Sequence, residues 1–199
     1  MITSPALQLS PEWYSARAGL PTASNFNRIV TSKGEPSTQQ KKYLFQLAGE
    51  RITGEKEETY QNAHMLRGTE LEEEARLLYS ITTGLSVETV GLCYPSDKKL
   101  IGASPDGLVG YEGGIEVKCP SLAVHAEYLL NNKLPTSYTQ QVQGLMFVTD
   151  RKWFDFVSYF PGMKILIVRV ERDAAFIARL GAELALFCKE LDEIVNKIK

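Results

Sequence analysis

Hydrophobic residues follow two different periodicities along this chain, and the change from one to the other outlines its elements. Apolar positions three and four residues apart, flanked by capping residues, predict helices. Ser10-Pro11-Glu12 supplies a capping hydroxyl, a proline at the first helical position and an acid in the first turn. A long amphipathic helix is predicted after Asp173, and further helices are predicted over residues 10–19, 22–30, 39–52, 64–82, 122–131 and 137–149.

Alternating apolar and polar residues predict strands in the middle of the chain. A hairpin with its turn at Pro161-Gly162 is predicted over residues 153–160 and 164–171. The order of helices, strands, helices, two strands and a helix predicts an α/β fold with a central mixed β-sheet flanked by helices, in a single domain of 199 residues. The other predicted strands cover residues 86–94, 100–103, 107–109 and 115–119.

One predicted strand carries residues that are suited to chemistry. Glu116 and Lys118 lie two positions apart, so their side chains point to the same face of the strand. Asp106 lies ten positions before Glu116, in a turn that enters the preceding strand. Two carboxylates can hold Mg²⁺, and a neighbouring lysine can orient a water, as phosphodiester hydrolysis requires. The spacing alone fits a solvated Glu–Lys ion pair equally well.

Composition and charge narrow the range of functions. The chain has 22 Lys and Arg residues against 24 Asp and Glu residues, which gives a formal net charge of −2. Any nucleic-acid surface must therefore be a local concentration of basic side chains. The chain has no Gly-x-x-x-x-Gly-Lys-Ser/Thr loop, so no ATP-driven motor is recognisable, and its two histidines make a histidine-based nuclease site a poor explanation.

The cysteines and the apolar runs give expectations about metals and location. Cys93, Cys119 and Cys188 form no Cys-x-x-Cys motif, which excludes a zinc ribbon or a four-cysteine iron–sulfur cluster within this chain. Three isolated cysteines are typical of a reducing, cytoplasmic environment. Residues 1–9 do not have the pattern of a signal peptide, and no apolar run could span a bilayer, so we expect no membrane partner.

Five short segments follow one another in a specific order along the chain. They are Trp13-…-Arg17-x-Gly19-x-x-Thr22-Ala23-Ser24, Gly68-x-x-x-Glu72, Ser104-Pro105-Asp106-Gly107-Leu108, Glu116-x-Lys118-Cys119-Pro120 and Gln141-Val142-Gln143. In these segments and their order, the chain resembles phage λ exonuclease and related phage recombination exonucleases of the PD-(D/E)xK nuclease superfamily. The resemblance covers nearly the whole chain and implies a restriction-endonuclease-like core.

The resemblance also implies an activity and partners. It implies a Mg²⁺-dependent exonuclease, with Mn²⁺ able to substitute, that degrades one strand of duplex DNA from its 5′ end to 5′-mononucleotides. The remaining 3′ overhang would serve homologous recombination by strand annealing, with a single-strand annealing protein as partner. Relatives form a homotrimer ring around DNA, and they come from phages or prophages in a bacterial host.

The expected metal and catalytic residues follow from the same resemblance. Asp106, Glu116 and Lys118 are expected to be catalytic, with Lys118 positioning and activating the attacking water. Asp106, Glu116, the Val117 carbonyl and Glu72 are expected to bind the metal. Glu72 belongs to an acidic run on a predicted helix, and its acidic neighbours are expected at the surface because a helical period of 3.6 turns them to other faces.

A 5′-phosphate pocket is implied by Arg17 and Ser24, with Ser104 and Gln141 as further contacts to DNA. The chemistry agrees, because a guanidinium forks onto phosphate oxygens and the N–H groups of a helix N-terminus favour anions. Ser24 also fits a plain helix cap. Met65 aligns with an apolar side chain that wedges the terminal base pair apart in a relative, although a core position explains it equally well.

Two other functions stay open at this level. The first is a structure-specific or restriction-type endonuclease of the same superfamily. The second is a catalytically decayed DNA-binding module, against which the intact Asp106, Glu116 and Lys118 argue.

Overall fold

A computed structural model describes residues 1–56 and 63–199, without the side chains of residues 63–69. The helices agree closely with the sequence pattern. The 3₁₀ helix Ala23–Arg28 replaces the helix predicted over residues 22–30. The 3₁₀ helix Thr136–Tyr138 replaces the start of the helix predicted over residues 137–149. The α-helices are α1 (Pro11–Arg17), α2 (Gln40–Thr53), α3 (Ala63–Thr83), α4 (Leu122–Asn131), α5 (Thr139–Thr149) and α6 (Ala174–Ile198).

Capping residues explain where several helices begin and end. The Ser10 hydroxyl accepts a hydrogen bond from the Trp13 amide at the start of α1, and Asp173 accepts one from the Phe176 amide at the start of α6. Asn132 and Asp150 adopt left-handed backbone conformations directly after α4 and α5. Local sequence signals therefore set the helix bounds around the central sheet.

The central sheet is mixed, as predicted, with the strand order β3-β4-β5-β6. Its outer pairs are antiparallel and its central β4–β5 pair is parallel. Because a parallel pair needs a crossover, α4 and α5 lie between β4 and β5 in the chain. The strands are β3 (Gly107–Val109), β4 (Gly113–Lys118), β5 (Trp153–Ser158) and β6 (Leu166–Glu171), while β1 (Ile2–Thr3) and β2 (Cys93–Tyr94) pair separately.

The predicted strands over residues 86–94 and 100–103 are largely wrong. Only Cys93–Tyr94 forms a strand there, and the other pairings are isolated bridges such as Glu88 with Leu108 and Thr22 with Gly102. Each short stretch pairs with a different neighbour over one residue, so no continuous ladder forms. The alternating pattern was present, but it had no single partner strand along which to extend.

Helices cover the sheet with two apolar clusters. The larger cluster contains residues from α2, α5 and α6 together with Phe154 of β5. The smaller one packs Ala75 and Tyr79 of α3 against Ile115 and Val117 of β4. Among the described residues, no helix combines the length and the apolar character needed to cross a membrane.

A buried carboxylate on β5 ties α3 to the sheet. Asp155 of β5 is only 2% exposed and receives two hydrogen bonds from Arg169 of β6, at 2.5 and 3.0 Å. The Tyr79 hydroxyl of α3 donates to the same carboxylate at 2.7 Å. The Arg169 guanidinium also lies 3.4 Å from the centre of the Trp153 ring. This network joins three elements through one carboxylate.

Two adjacent glycines allow close packing between β4 and β5. A Cβ atom at Gly113 would collide with the Trp153 ring, and one at Gly114 would collide with the Phe154 ring. These residues are direct neighbours in the parallel register. The aromatic rings of β5 therefore occupy the space that side chains of β4 would otherwise fill.

We predict that Asp155→Ala destabilises the fold by about 3 kcal/mol, because it leaves the Arg169 guanidinium and the Tyr79 hydroxyl without their buried partner. Glu112→Ala is the matched control, since Glu112 forms an exposed ion pair with Lys152. The Glu112 side chain is 57% exposed and the Lys152 side chain is 70% exposed. That change should alter the free energy of unfolding by less than about 1 kcal/mol. Denaturant unfolding measures both, and equal effects would contradict the assigned role of Asp155.

Candidate functional site

One cleft of about 570 Å³ brings together most of the residues singled out from the sequence. It lies between α1, α3, the start of β3, the end of β4 and the start of α5. The predicted residues that line it are Arg17, Ser24, Glu72, Ser104, Asp106, Glu116, Lys118 and Gln141. Met65 lies on α3, but its side chain is outside the described residues, so its predicted contact with DNA stays a prediction.

The β3–β4 hairpin positions Asp106 beside Glu116. Gly107 of β3 pairs with Ile115 of β4, so the residue before β3 lies next to the residues after Ile115. The Val117 amide donates to the Asp106 carboxylate at 2.6 Å. The turn before β3 therefore brings Asp106 to the same edge of the sheet as Glu116.

Glu116 is the most buried acid of the cleft, with 1% exposure. Its Oε1 atom accepts hydrogen bonds from Lys118 Nζ, at 2.5 Å, and from Gln141 Nε2 of α5. Its Oε2 atom is also buried and has no hydrogen-bond partner among the described residues. The alternative of a solvated Glu116–Lys118 ion pair is therefore wrong, because α5 covers this face of β4.

Burial changes the protonation of the acidic groups in the cleft. Burial, reinforced by the neighbouring Asp106, raises the pKa of Glu116 to about 8. Burial and Asp106 likewise raise the pKa of Glu72 to about 7, and burial raises the pKa of Asp106. Burial acts to lower the pKa of Lys118, but Glu116 and Asp106 together outweigh it and raise that pKa. Lys118 and Arg76 favour the charged carboxylates, but they do not offset the effect of burial on the pKa values of Glu72 and Asp106.

The donor set fits a hard divalent cation. Asp106 and Glu116 offer carboxylate oxygens, and the buried Glu116 Oε2 has an acceptor position open. Among the described residues, no three His, Cys, Asp or Glu side chains converge closely enough to enclose a metal ion. Mg²⁺ commonly takes one or two carboxylates and completes its shell with waters and phosphate oxygens. Glu72 instead lies 3.7 Å from Arg76, one turn along α3.

A second polar cluster lies beside the carboxylates. Arg17 donates to the hydroxyl of Ser104 at 3.2 Å, to that of Ser24 at 3.3 Å and to that of Thr22 at 3.4 Å. The Trp13 ring lies 4.3 Å from this guanidinium, and its indole N–H donates to Ser104 at 2.9 Å. The plain-cap interpretation of Ser24 is wrong, because Thr22 occupies the N-cap of that 3₁₀ helix.

The guanidinium of Arg17 is incompletely satisfied. Its Nε atom is buried and has no hydrogen-bond partner among the described residues. Burial lowers the pKa of Arg17. Among the described residues, the acceptors of its hydrogen bonds are neutral hydroxyls, so the cluster has the character of an anion site.

Sequence reasoning missed two residues that contact the site. The Tyr138 ring lies 5.5 Å from Lys118 Nζ and packs against Phe156. The Gln8 side chain donates to the carbonyl of Pro105, directly before Asp106, at 2.9 Å. Tyr138 lies three residues before Gln141, which was a weak signal, but nothing in the sequence connects Gln8 with Pro105.

Other residues near the motifs have different roles. Gln143 points away from the cleft and bonds to the backbone of Glu171 and Asp173. Glu70, Glu73 and Glu74 are exposed, as expected, although Glu70 and Glu73 still line the rim of the cleft, and Glu74 accepts a hydrogen bond from the Tyr159 hydroxyl.

Solved structures with the same fold are nucleases by name. An alkaline exonuclease from Laribacter hongkongensis is 38% identical, with a TM-score of 0.86 over 95% of this chain and 96% of that one. Its complex with dAMP matches at 39% identity and the same TM-score, over 96% of each chain. A phage-related exonuclease from Haemophilus somnus 129PT, at 19% identity and a TM-score of 0.71 over 90% of this chain and 96% of that one, shares the fold.

No curated protein sequence matches this chain. The family model of the YqaJ-like viral recombinase domain matches residues 12–152, which include every segment on which the resemblance to phage λ exonuclease rested. The restriction-endonuclease-like fold expected from that resemblance is confirmed by the neighbouring structures. The chain belongs to the YqaJ-like viral recombinase family.

Proposed function

We propose that this protein is a Mg²⁺-dependent exonuclease that degrades one strand of duplex DNA from its 5′ end, releases 5′-mononucleotides and leaves a 3′ overhang for recombination. The observation that carries this proposal is the adjacency of the Arg17–Ser104 cluster and the Asp106–Glu116 carboxylates in one cleft. Because Ser104 and Asp106 are two residues apart, one nucleotide can present its 5′-phosphate to the cluster and its 3′-phosphodiester to the carboxylates.

The relatives support a nuclease that acts on DNA. The 38% identical structure is named as an exonuclease, and the same protein was crystallised with dAMP, a deoxynucleoside monophosphate. The family name refers to viral recombination. These names favour a DNA-degrading step in recombination, and they also fit a phage or prophage protein that works in the bacterial cytoplasm.

In this mechanism, the acids hold the metal and the other side chains hold the substrate. Asp106 and Glu116 would bind Mg²⁺, or Mn²⁺ in its place, with the Val117 carbonyl as a further ligand. Glu72 would join them by turning from Arg76 towards the ion. The bound ion would lower the pKa of a coordinated water and offset negative charge on the phosphate. Gln141 donates to Glu116 and so fixes the orientation of this carboxylate.

Lys118 acts as a hydrogen-bond donor in this proposal. The neighbouring acids raise its pKa, which favours the ammonium form and a role as donor. From beside Glu116 it can orient the attacking water and stabilise charge on the phosphate oxygens. The Tyr138 ring lies 5.5 Å from the ammonium and borders it.

The Arg17 cluster would select the end of the strand. A terminal 5′-phosphate carries more negative charge than an internal phosphodiester, and Arg17 has a buried N–H without a hydrogen-bond acceptor in the described structure. Ser24, Ser104 and Gln141 would contribute further contacts to the DNA. A homotrimer ring and a single-strand annealing partner are parts of the same proposal that come from the resemblance alone.

We predict that Lys118→Met lowers the rate of nucleotide release by roughly a hundredfold or more, because it keeps the length of the side chain but removes the donor. Lys152→Met is the control, since Lys152 forms only an exposed ion pair, and it should keep wild-type activity. Release of acid-soluble nucleotides from linear duplex DNA in Mg²⁺ measures the rate. Full activity of Lys118→Met would exclude the proposed role.

A closed circular duplex separates the proposal from the alternatives in the same assay. An exonuclease leaves the circle intact while it degrades the linear form. Cleavage of the circle would favour the restriction-type endonuclease. Binding of DNA without hydrolysis in either Mg²⁺ or Mn²⁺ would favour a decayed binding module.

We predict that Arg17→Ala removes most of the preference for a 5′-phosphorylated end. A linear duplex with a phosphate on one 5′ end and a hydroxyl on the other allows both ends to be followed in one time course. The variant should degrade the phosphorylated end at least about tenfold more slowly than the wild type does. It should degrade the hydroxyl end at nearly the wild-type rate, because only the phosphorylated end loses a charged contact. An unchanged preference would remove Arg17 from the proposed pocket.

We predict that metal binding strengthens as the pH rises through about 7 to 8. The ion requires ionised carboxylates, and the pKa values of Glu72 and Glu116 are raised to about 7 and about 8. Both pKa values lie above those of the same groups in the unfolded chain, so the folded state binds more protons than the unfolded state does in this pH range. The stability of the metal-free protein should therefore fall from about pH 5 to about pH 8.

Thermal unfolding across this range, in EDTA and in Mg²⁺, measures both effects. The rise in melting temperature caused by Mg²⁺ should grow with pH in the wild type. In EDTA, Glu116→Gln should reduce the fall in stability with rising pH, because a glutamine side chain does not titrate. A stabilisation by Mg²⁺ that is the same at pH 6 and pH 9 would contradict the prediction.

A further inference from the structure

The cleft has an apolar border that its proposed chemistry does not use. Five consecutive residues near the N-terminus line it, and we name them the N-terminal lip: Pro5, Ala6, Leu7, Gln8 and Leu9. Leu7 is 78% exposed and Leu9 is 51% exposed. The two leucines therefore present apolar surface to water at the border of this cleft.

The lip is firmly attached to the fold despite its exposure. The Ser4 amide donates to the carbonyl of Leu92 at 2.8 Å, and the Gln8 side chain donates to the carbonyl of Val90 at 2.8 Å. On its other side, the Ser10 amide donates to the carbonyl of Leu7 at 3.1 Å. The two leucines therefore project from a fixed backbone.

The backbone of the lip is also strained at one residue, Leu9. Leu9 has φ at 68°, in the left-handed region that glycine and asparagine adopt more readily than leucine does. The strain persists at a residue whose side chain remains half exposed, so packing in the core does not account for it. Strained backbone of this kind is concentrated at sites that bind ligands.

The lip adjoins the position where one nucleotide would lie in the proposed function. Gln8 holds the carbonyl of Pro105 at 2.9 Å. Pro105 separates Ser104, in the Arg17 cluster, from Asp106, in the carboxylate pair. A nucleotide with one phosphate at each of these two places passes over Pro105, so its base can reach the adjoining lip.

We propose that the N-terminal lip is a subsite for the nucleobase of the 5′-terminal nucleotide, with Leu7 and Leu9 packing against the base. The subsite rests on the proposed function, because the phosphate cluster positions the nucleotide. The apolar side chains offer contact area without hydrogen-bond readout, so the subsite accepts any base. It gives the enzyme a contact with the nucleotide that is absent at an abasic end.

The test compares dAMP with 2-deoxyribose 5-phosphate, in which a hydroxyl replaces the base, by titration calorimetry of the full chain in Mg²⁺. The wild type should bind dAMP more tightly. In the double variant Leu7→Ser with Leu9→Asn, affinity for dAMP should fall roughly tenfold while affinity for the sugar phosphate stays the same. Asparagine tolerates the left-handed conformation, so the variant retains the backbone of the lip.

Leu130→Ser is the matched control, because Leu130 is an 86% exposed leucine of α4 that does not line the cleft. It should leave both affinities unchanged. Equal wild-type affinities for the two ligands, or a double variant whose preference for dAMP is as large as that of the wild type, would overturn the lip subsite and leave the phosphate pocket intact. Failure of Arg17→Ala to weaken either ligand would overturn the phosphate pocket and, with it, the lip subsite.

Discussion

The buried carboxylate of Glu116 is the constraint on which the rest of the cleft depends. A carboxylate with 1% exposure must be neutralised, paired or bound to a cation. Lys118 from the same strand and Gln141 from α5 satisfy one of its oxygens, and the other has no hydrogen-bond partner among the described residues. The crossover between β4 and β5 brings α5 over the strand, so the topology of the sheet creates both the burial and its partial compensation.

The same topology connects the cleft with the stability of the fold. Glu72 and Tyr79 are seven residues apart on α3, which places them on the same face of the helix. Tyr79 bonds to Asp155, which Arg169 also holds, so a structural network fixes the helix that presents Glu72 to the cleft. A change at Asp155 would therefore affect the site through the position of α3, without any contact with substrate.

The sequence predicted elements where one local signal determines the structure. Ser10 and Asp173 cap their helices as expected, and the alternation around Glu116 produced a strand. The strands predicted over residues 86–94 and 100–103 largely did not form, because the pairing partners of these stretches are scattered along the chain. The order of the motifs predicted which residues share the cleft. It could not predict that Glu116 is buried, that Tyr138 borders Lys118 or that Gln8 holds Pro105, since these depend on long-range packing.

Gly113 and Gly114 restrict how this sheet can change over evolution. Each lies against an aromatic ring of the neighbouring strand, Trp153 for the first and Phe154 for the second. A larger residue on β4 would fit only if the ring beside it became smaller in the same lineage. These positions should therefore vary as pairs among homologues, and a single exchange at either one would pass through a poorly packed intermediate. Because Glu116 follows on the same strand, such an intermediate would also shift the cleft.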